Sequence, residues 1–326
     1  MTPGSLILLY HRVAVLDDDP FQIAITPEHF AQHMAVVAEL GAMTIDTAAE
    51  HTRRRRSLSS GIAVTFDDGY RDNLVYALPA LSDTEVPATI YVTTGPTGTT
   101  RAFWWDELAA LILRAPPNAA QLRVAAGNRT ISPAAIGAEA IFTLWRALRR
   151  LAEPERERAM DDVRAWAGRT TPLAYDDESR VMNHAELVEI AEHPLITLGA
   201  HTVTHPVLAS LSSSGQQREI RESRSQLEAF INRPVRSFAY PFGRPRVDHT
   251  SASARLVAAA GYESACAVLD RELTRRSPVL ALPRWAPPNV DGDQFRVMLE
   301  ARLRRPSPAT RIRRAARERV QAFAER

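Results

Sequence analysis

The chain has 326 residues and a formal net charge of +2, which suits one large α/β domain or two smaller ones and gives no global signal for nucleic acid. All 40 basic residues are arginine, a skew that fits codon bias in a GC-rich genome and that excludes a lysine Schiff base or lysine general base. Cys266 stands alone, so no intrachain disulfide is possible and the residue reads as a small buried apolar group.

Leu6-Ile7-Leu8-Leu9-Tyr10 reads as a buried strand ending at His11. That run is too short for a signal or anchor, and no basic segment precedes it. No stretch approaches the roughly 20 apolar residues that span a bilayer. The expectation is a cytoplasmic protein without a transmembrane segment. Thr26-Pro27-Glu28 opens a helix, with Thr as N-cap and Pro in the first turn. Phe30, Met34, Val37 and Leu40 keep helical spacing, and Gly41 closes it. Ile62 to Phe66 is a second buried strand, ending at Asp67-Asp68. Tyr70 to Leu81 reads as helix and Ala88 to Val92 as a third strand.

Between Gly95 and Val181 the rhythm breaks. Phe103-Trp104-Trp105-Asp106-Glu107-Leu108 starts a helix, and Ile141 to Leu151 and Glu155 to Trp166 give two more. Residues 99–180 show no clear strand pattern and are expected to form a mostly helical insertion, a cap over the rest. Leu195 to Leu198 is another strand, ending at His201. Gln216 to Ile231 is a helix whose paired Arg and Glu predict a mostly solvated face. Val235 to Tyr240 is a strand followed by Pro241-Phe242-Gly243, and Ala252 to Ala260 is a helix stopped by Gly261. Ser264 to Val268 and Pro278 to Leu282 read as the last strands. Residues 301–326 form an Arg-rich tail, expected to be an exposed arm.

Strands alternating with helices predict βα units and a mainly parallel sheet. Four candidate chemical groups follow strands directly: His11, the Asp pair, the His pair and the Tyr-Pro-Phe-Gly turn. In a β/α barrel the working residues gather at the C-terminal strand ends, so a barrel over residues 1–300 is favoured over an open sheet.

Thr65-Phe66-Asp67-Asp68-Gly69-Tyr70 and His201-Thr202-Val203-Thr204-His205 carry the chemistry. A carboxylate and two imidazoles spaced four apart can hold a divalent metal and leave positions for water and substrate. One Asp binds the metal and the other stands ready to take a proton. Zinc is the first choice for this nitrogen–oxygen set, with cobalt, nickel or manganese as alternatives. The same ligand types serve non-haem iron oxygenases. The order Asp, then His-x-x-x-His, on an α/β chain counts against that chemistry.

These motifs resemble those of the NodB-type polysaccharide deacetylases, carbohydrate esterase family four. The resemblance covers roughly His11 to Trp285, outside most of the insertion, and Leu9-Tyr10-His11-Arg12-Val13 and Phe103-Trp104-Trp105-Asp106 resemble a bacterial branch of it. It implies a distorted β/α barrel that removes acetyl groups from N-acetylated sugars. It implies Asp67 as general base and Asp68, His201 and His205 as metal ligands. Phe238 to Gly243 is similar to the family's third motif, where the backbone N–H of Phe242 is expected to help hold the oxyanion.

Two departures stand out. The third motif commonly carries an Arg where this chain has Ala239; Arg284, in Leu282-Pro283-Arg284-Trp285, is the favoured replacement, ahead of Arg236. The late Leu-x-His motif, whose His is the family's general acid, is missing, and His11 is the candidate general acid or substrate contact in its place. Trp104 and Trp105 are read either as both packing the insertion onto the barrel or as one of them, taken as Trp105, stacking on a sugar, and Tyr240 is a candidate to line the cleft. His184 and His193 read as surface or helix-end residues. The leading expectation is a metal-dependent N-deacetylase acting on an amino sugar in a glycan or glycan precursor. A deformylase or other linear amidohydrolase on a carrier-linked sugar, and a silent glycan-binding member, are the alternatives.

Overall fold

The structure, a computed structural model, describes residues 5–54, 61–115, 121–175 and 179–304. Strand β1 (Leu6–Tyr10) leads through two short paired strands, β2 (Arg12–Val13) and β3 (Ala24–Ile25), to helices α1 (Pro27–Leu40) and α2 (Ile45–Arg54). Strand β4 (Ile62–Phe66) is followed by a π-helical turn at Asn73–Ala77, helix α3 (Leu78–Asp83) and strand β5 (Ala88–Val92). Next come α4 (Trp104–Leu113), an antiparallel hairpin of β6 (Val124–Ala126) and β7 (Arg129–Ile131), α5 (Ala138–Leu148) and α6 (Glu153–Trp166). Helix α7 (His184–Glu192) precedes β8 (Ile196–Ala200), α8 (Ser213–Ile231) precedes β9 (Ser237–Ala239), and α9 (Ser251–Ala259) precedes β10 (Ser264–Val268). Strand β11 (Leu282–Arg284) and helix α10 (Gly292–Leu303) complete the described chain.

Seven parallel strands form one sheet in the order β1-β4-β5-β8-β9-β10-β11. It closes on itself just past β11. Trp285 bridges Leu8, its N–H donates to Ile7 O at 2.9 Å, and its carbonyl accepts from Leu9 N at 2.9 Å. The seam between β8 and β9 is thin, with one register pair, Ala200 with Phe238. The protein is thus a nearly closed, distorted α/β barrel, as expected.

Strand alternation decides what faces inward. Leu6, Leu8 and Tyr10 of β1, and Phe238 and Tyr240 at β9, join the large core under the outer helices. Ile7, Ala63, Tyr91, Ala239, Cys266 and Leu282 form a separate inner cluster with Ile45, Ala48 and Ala49 of α2. Gly199 faces this interior, where an added Cβ would lie 2.5 Å from the Tyr91 ring, so the absence of a side chain there makes room for that ring. Cys266 is free and buried, with Sγ 3.2 Å from the Tyr91 hydroxyl.

Several elements differ from the sequence reading. The helix expected from Tyr70 begins as a π-helical turn, because Pro79 has no N–H for the Val75 carbonyl and its ring crowds that turn. Helices α2, α7 and α10 are additions to the sequence reading, although α2 is amphipathic and α7 has an Asn183–Glu186 capping box. The last strand is Leu282–Arg284 rather than Pro278 to Leu282. The segment 99–180 has its own hydrophobic core, built from Leu108, Ile112, Leu144, Met160 and Val163 among others. It also contains the β6–β7 hairpin, whose three-residue strands are too short to show alternation. The Arg-rich tail beyond Arg304 lies outside the described residues.

Glu186 ties α7 to the chain leaving β4. Its carboxylate accepts from Arg71 Nε at 2.8 Å, from Arg180 at 2.6 and 2.8 Å, and from Asn183 N at 2.8 Å. Burial pushes the Glu186 carboxyl up, but these donors outweigh it and bring it down to about 2 from 4.5. A depressed carboxylate contributes stability above its unfolded pKa and loses it as pH falls toward the folded value. Urea midpoints of wild type and Glu186→Gln should therefore differ most above about pH 4.5 and converge as pH falls toward about 2.

Candidate metal centre and active site

The barrel's C-terminal rim collects the chemical groups. Asp67 leaves β4 with its N–H donating to Tyr10 O at 3.0 Å. Asp68 follows at φ +74° and Gly69 at +79°, so the chain turns and presents both carboxylates to one space. His201 leaves β8 with its N–H donating to Val92 O at 2.8 Å. Its Nδ1 lies 2.8 Å from Ala239 O, which fixes that nitrogen as the donor and turns the Nε2 lone pair toward Asp67 and Asp68. This imidazole also stitches the thin β8–β9 seam.

His201 Nε2 and His205 Nε2 lie 3.7 and 3.4 Å from Asp68 Oδ1. One ligand atom from each of the three residues lies within 4.8 Å of the others, and all three residues are buried. Ligands held about 2.0–2.1 Å from one tetrahedral ion lie about 3.4 Å apart, so the spacing fits a shared cation. Asp68 Oδ1 is also buried without a hydrogen-bond partner. Burial, followed by the Asp67 charge, pushes the Asp68 carboxyl up, while burial pushes both imidazoles down. A divalent cation favours the ionised carboxylate and neutral imidazoles, the forms a metal ligand takes.

Asp67 stands beside this triad, Oδ2 being 3.7 Å from His201 Nε2. Arg284 grips it with two N–H groups, Nη1 to Oδ1 at 2.6 Å and Nη2 to Oδ2 at 2.7 Å. Burial pushes Asp67 up, but this guanidinium, followed by His201, holds it below the usual carboxylate range. Arg284 sits on the inner side of the last barrel strand with no solvent exposure. Arg236 instead lies on the surface near Glu263.

His11 is half-buried at the end of β1, close enough for the charges of Asp67, Arg284 and His201 to act on it. Burial pushes its imidazole down to about 4, against the pull of Asp67. Its carbonyl accepts from Asn73 Nδ2 at 2.9 Å, and the neighbouring Arg12 pairs with buried Asp72 at 2.9 Å. Phe242 lies at φ +59° with its ring 4.8 Å from that of His205.

Two expected substrate contacts are placed otherwise. Tyr240 is fully buried, donates to Leu280 O at 2.9 Å and stacks on His249. Ala239 points into the barrel, so its neighbour Tyr240 must point out, under the helices. Trp105 is buried too, stacked 4.3 Å from Phe103, with Nε1 donating to Tyr70 OH. Its ring lies 4.6 Å from His205 and braces that imidazole, which leaves it no free face for a sugar. His184 opens helix α7 and His193 is its C-cap.

The loop between the two histidines is held from three sides. Thr94 N and Gly95 N donate to Thr202 O and Val203 O at 3.1 and 2.9 Å. An added Cβ at Gly95 would meet Val203 O at 2.5 Å, so only glycine allows this approach. Arg156 of α6 donates to Thr204 O at 3.0 Å. Glu219 of α8 accepts from Val203 N, Thr204 N and Thr204 Oγ1 at 2.8, 3.0 and 2.8 Å. The expected solvated helix thus turns one acid inward. Glu219 lies on the buried stripe Gln216, Glu219, Ile220, Ser223 and Leu227, a spacing that was readable in the sequence.

A nearly closed parallel barrel with an Asp-His-His cluster and a second Asp at the strand ends defines a barrel protein with a candidate metal site. The sequence model of the polysaccharide deacetylase family matches residues 55–128 and 167–265, more than half of the chain, and the chain belongs to that family. Among solved structures, it is similar to the deacetylase PplD of Streptococcus pyogenes, in complex with acetate. That match has 16% identity and a TM-score of 0.59, covering 93% of this chain and 100% of that one. IcaB from Ammonifex degensii gives 17% identity and a TM-score of 0.59 over 93% and 98% of the two chains. The putative polysaccharide deacetylase BA0330 from Bacillus anthracis gives 16% and 0.57 over 92% and 69%. At these identities the likeness establishes the fold. No curated protein matches the sequence.

Replacing Glu219 with Ala strips three hydrogen bonds from the His loop. It should weaken binding of a divalent cation about 10–100-fold by competitive chelator titration, whereas Glu219→Gln keeps most of the affinity. Arg284→Met leaves a buried carboxylate without its counter-ion. It should lower unfolding free energy by about 3–5 kcal/mol in urea titrations.

Proposed function

We propose that this protein is a metal-dependent N-deacetylase acting on an N-acetylated amino sugar within a glycan or glycan precursor. The observation that carries the reading is the arrangement of Asp67, gripped by Arg284, beside the Asp68-His201-His205 cluster. Its family membership points to the same reaction class.

A divalent cation held by Asp68, His201 and His205, zinc by first choice, would acidify a water and polarise the acetamide carbonyl. Asp67 removes a proton from the attacking water. Arg284 keeps Asp67 ionised for that step and occupies one lone pair on each oxygen, leaving a second on each for the incoming proton. The backbone N–H of Phe242, at the turn beside His205, is the donor that stabilises the charge developing on the carbonyl oxygen. His11, neutral at rest because burial pushes it down to about 4, contacts the substrate and relays the proton collected by Asp67 to the leaving nitrogen. The C–N bond breaks to give acetate and a free amino sugar.

Metal content and acetate release, measured together on N-acetylglucosamine oligomers, test this reading. Asp67→Asn should keep its metal and lose about 10²–10⁴-fold in acetate release. His201→Ala/His205→Ala should lose both. Acetate release that survives in Asp67→Asn, or metal-loaded wild type that releases none, would refute it.

A further inference from the structure

Two stretches singled out in the sequence, Leu9 to Val13 and Phe103 to Asp106, lie far apart in the chain, and the fold brings them together on Tyr70. The Arg12 guanidinium lies 4.6 Å from the centroid of the Tyr70 ring. The Tyr70 hydroxyl donates to Asp106 Oδ2 at 2.7 Å, and the Tyr175 hydroxyl donates to the same oxygen. The Trp105 indole, whose ring lies 4.6 Å from that of His205, donates to the Tyr70 hydroxyl at 3.3 Å. A chain of contacts thus runs from the Asp-His-His cluster through Trp105 and Tyr70 to Asp106.

Both charged groups keep unused hydrogen-bonding capacity. The two tyrosines share Oδ2, so Asp106 Oδ1 accepts from no described residue, and Asp106 is half-buried in the first turn of α4. Arg12 is buried, and only its Nε is bonded, to Asp72 Oδ2 at 2.9 Å; its two Nη groups have no hydrogen-bond partner among the described residues. Burial pushes the Asp106 carboxyl up, while the Tyr175 hydroxyl, Arg12 and the Tyr70 hydroxyl pull against it. The charges of Arg12 and Asp106 also act on Asp68, which places both beside the metal cluster.

A free carboxylate oxygen and free guanidinium N–H groups offer an acceptor and donors in one place. Leaving such groups unbonded is costly where water is scarce. A simple anion would be repelled by Asp106 and a simple cation by Arg12. A neutral hydroxyl, which both donates and accepts, meets neither cost.

We propose that Arg12 and Asp106 bind a hydroxyl group of the same sugar ring whose acetamide is cleaved, Asp106 Oδ1 accepting from it and an Arg12 Nη group donating to it. The pair rests on the deacetylase reading and deepens it as a specificity determinant: it admits sugars with a free hydroxyl at one ring position and rejects those without it. Asp106 follows Trp105, which braces His205, so the bound hydroxyl is fixed relative to the metal cluster.

The test uses metal-loaded protein and the methyl β-glycoside of N-acetylglucosamine, as the parent sugar and as its 3-, 4- and 6-deoxy forms. For wild type, kcat/KM for acetate release should fall about 10–100-fold on one deoxy form. In Asp106→Asn the tyrosines hold the amide oxygen in the Oδ2 place, which puts a donor where Oδ1 accepted. This variant should keep its metal content, lose about as much on the parent sugar, and show little further loss on that deoxy form. Arg12→Lys, which keeps a cation beside Asp72, should show the same pattern at about three- to tenfold. A residue that only holds the structure would lower activity on every sugar alike and leave the deoxy penalty in place. That result overturns the pair, as does a wild type indifferent to all three positions. If wild type releases no acetate, the same panel is titrated calorimetrically. A deoxy penalty in affinity that disappears in Asp106→Asn upholds the pair while the deacetylase reading fails; sugars bound without a penalty, or not bound, overturn it.

Discussion

A guanidinium with no solvent exposure gripping a buried carboxylate is the interaction on which this site depends. Arg284 and Asp67 leave strands β11 and β4, which are not neighbours; β1 lies between them. Taking both charges out of water is costly, and only the paired geometry offsets it. The pairing exists because the sheet closes past β11, where Trp285 exchanges hydrogen bonds with Ile7 and Leu9. Asp67 is therefore held in its ionised form only when the last barrel strand is in place. Closure of the barrel is what brings Arg284 and Asp67 together.

The opposite wall of the site depends on backbone held in unfavourable conformations. Asp68, Thr202, His205 and Phe242 all have positive φ, which L-residues avoid at a cost of about 1–2 kcal/mol each. They cluster around one small volume, the pattern expected where surrounding structure over-determines a working site. The surrounding contacts can be named. Glu219, Arg156 and the backbone of Thr94 and Gly95 hold the His loop, while Ala239 O orients His201. The sheet is thinnest between β8 and β9, and there the His201 side chain substitutes for ladder hydrogen bonds.

The barrel strands and the two motifs were legible in the sequence because their signals are local. A buried run that ends in Asp-Asp-Gly, or in His-x-x-x-His, needs no knowledge of the rest of the chain. Arg284 was legible only through the family resemblance, as a replacement for the Arg that the third motif commonly carries where this chain has Ala239. Tyr240 was misplaced because a residue's type does not reveal its side of the sheet; Ala239 facing inward settles the phase. Glu219 was hidden among the charges of α8, although it shares a stripe with Ile220 and Leu227. The β6–β7 hairpin left almost no period-2 signal, since each strand has three residues. Nothing in the sequence sets buried Trp105 apart from half-buried Trp145. That distinction comes from Phe103 covering one ring and Arg149 orienting the other.

The segment between β5 and β8 packs against the Asp-His-His cluster rather than standing apart from it. Its own core anchors the groups it sends toward the barrel mouth. Trp105 braces His205, Arg156 bonds the carbonyl of Thr204, and Arg149 pairs with Asp248 while covering Phe242. Each contact reaches a loop that follows a different barrel strand or a residue within the cluster. A change in how this segment packs would move the His loop and the Phe242 turn together. The barrel strand ends carry Asp67, Asp68, His201 and His205; the inserted core braces the loops that hold them.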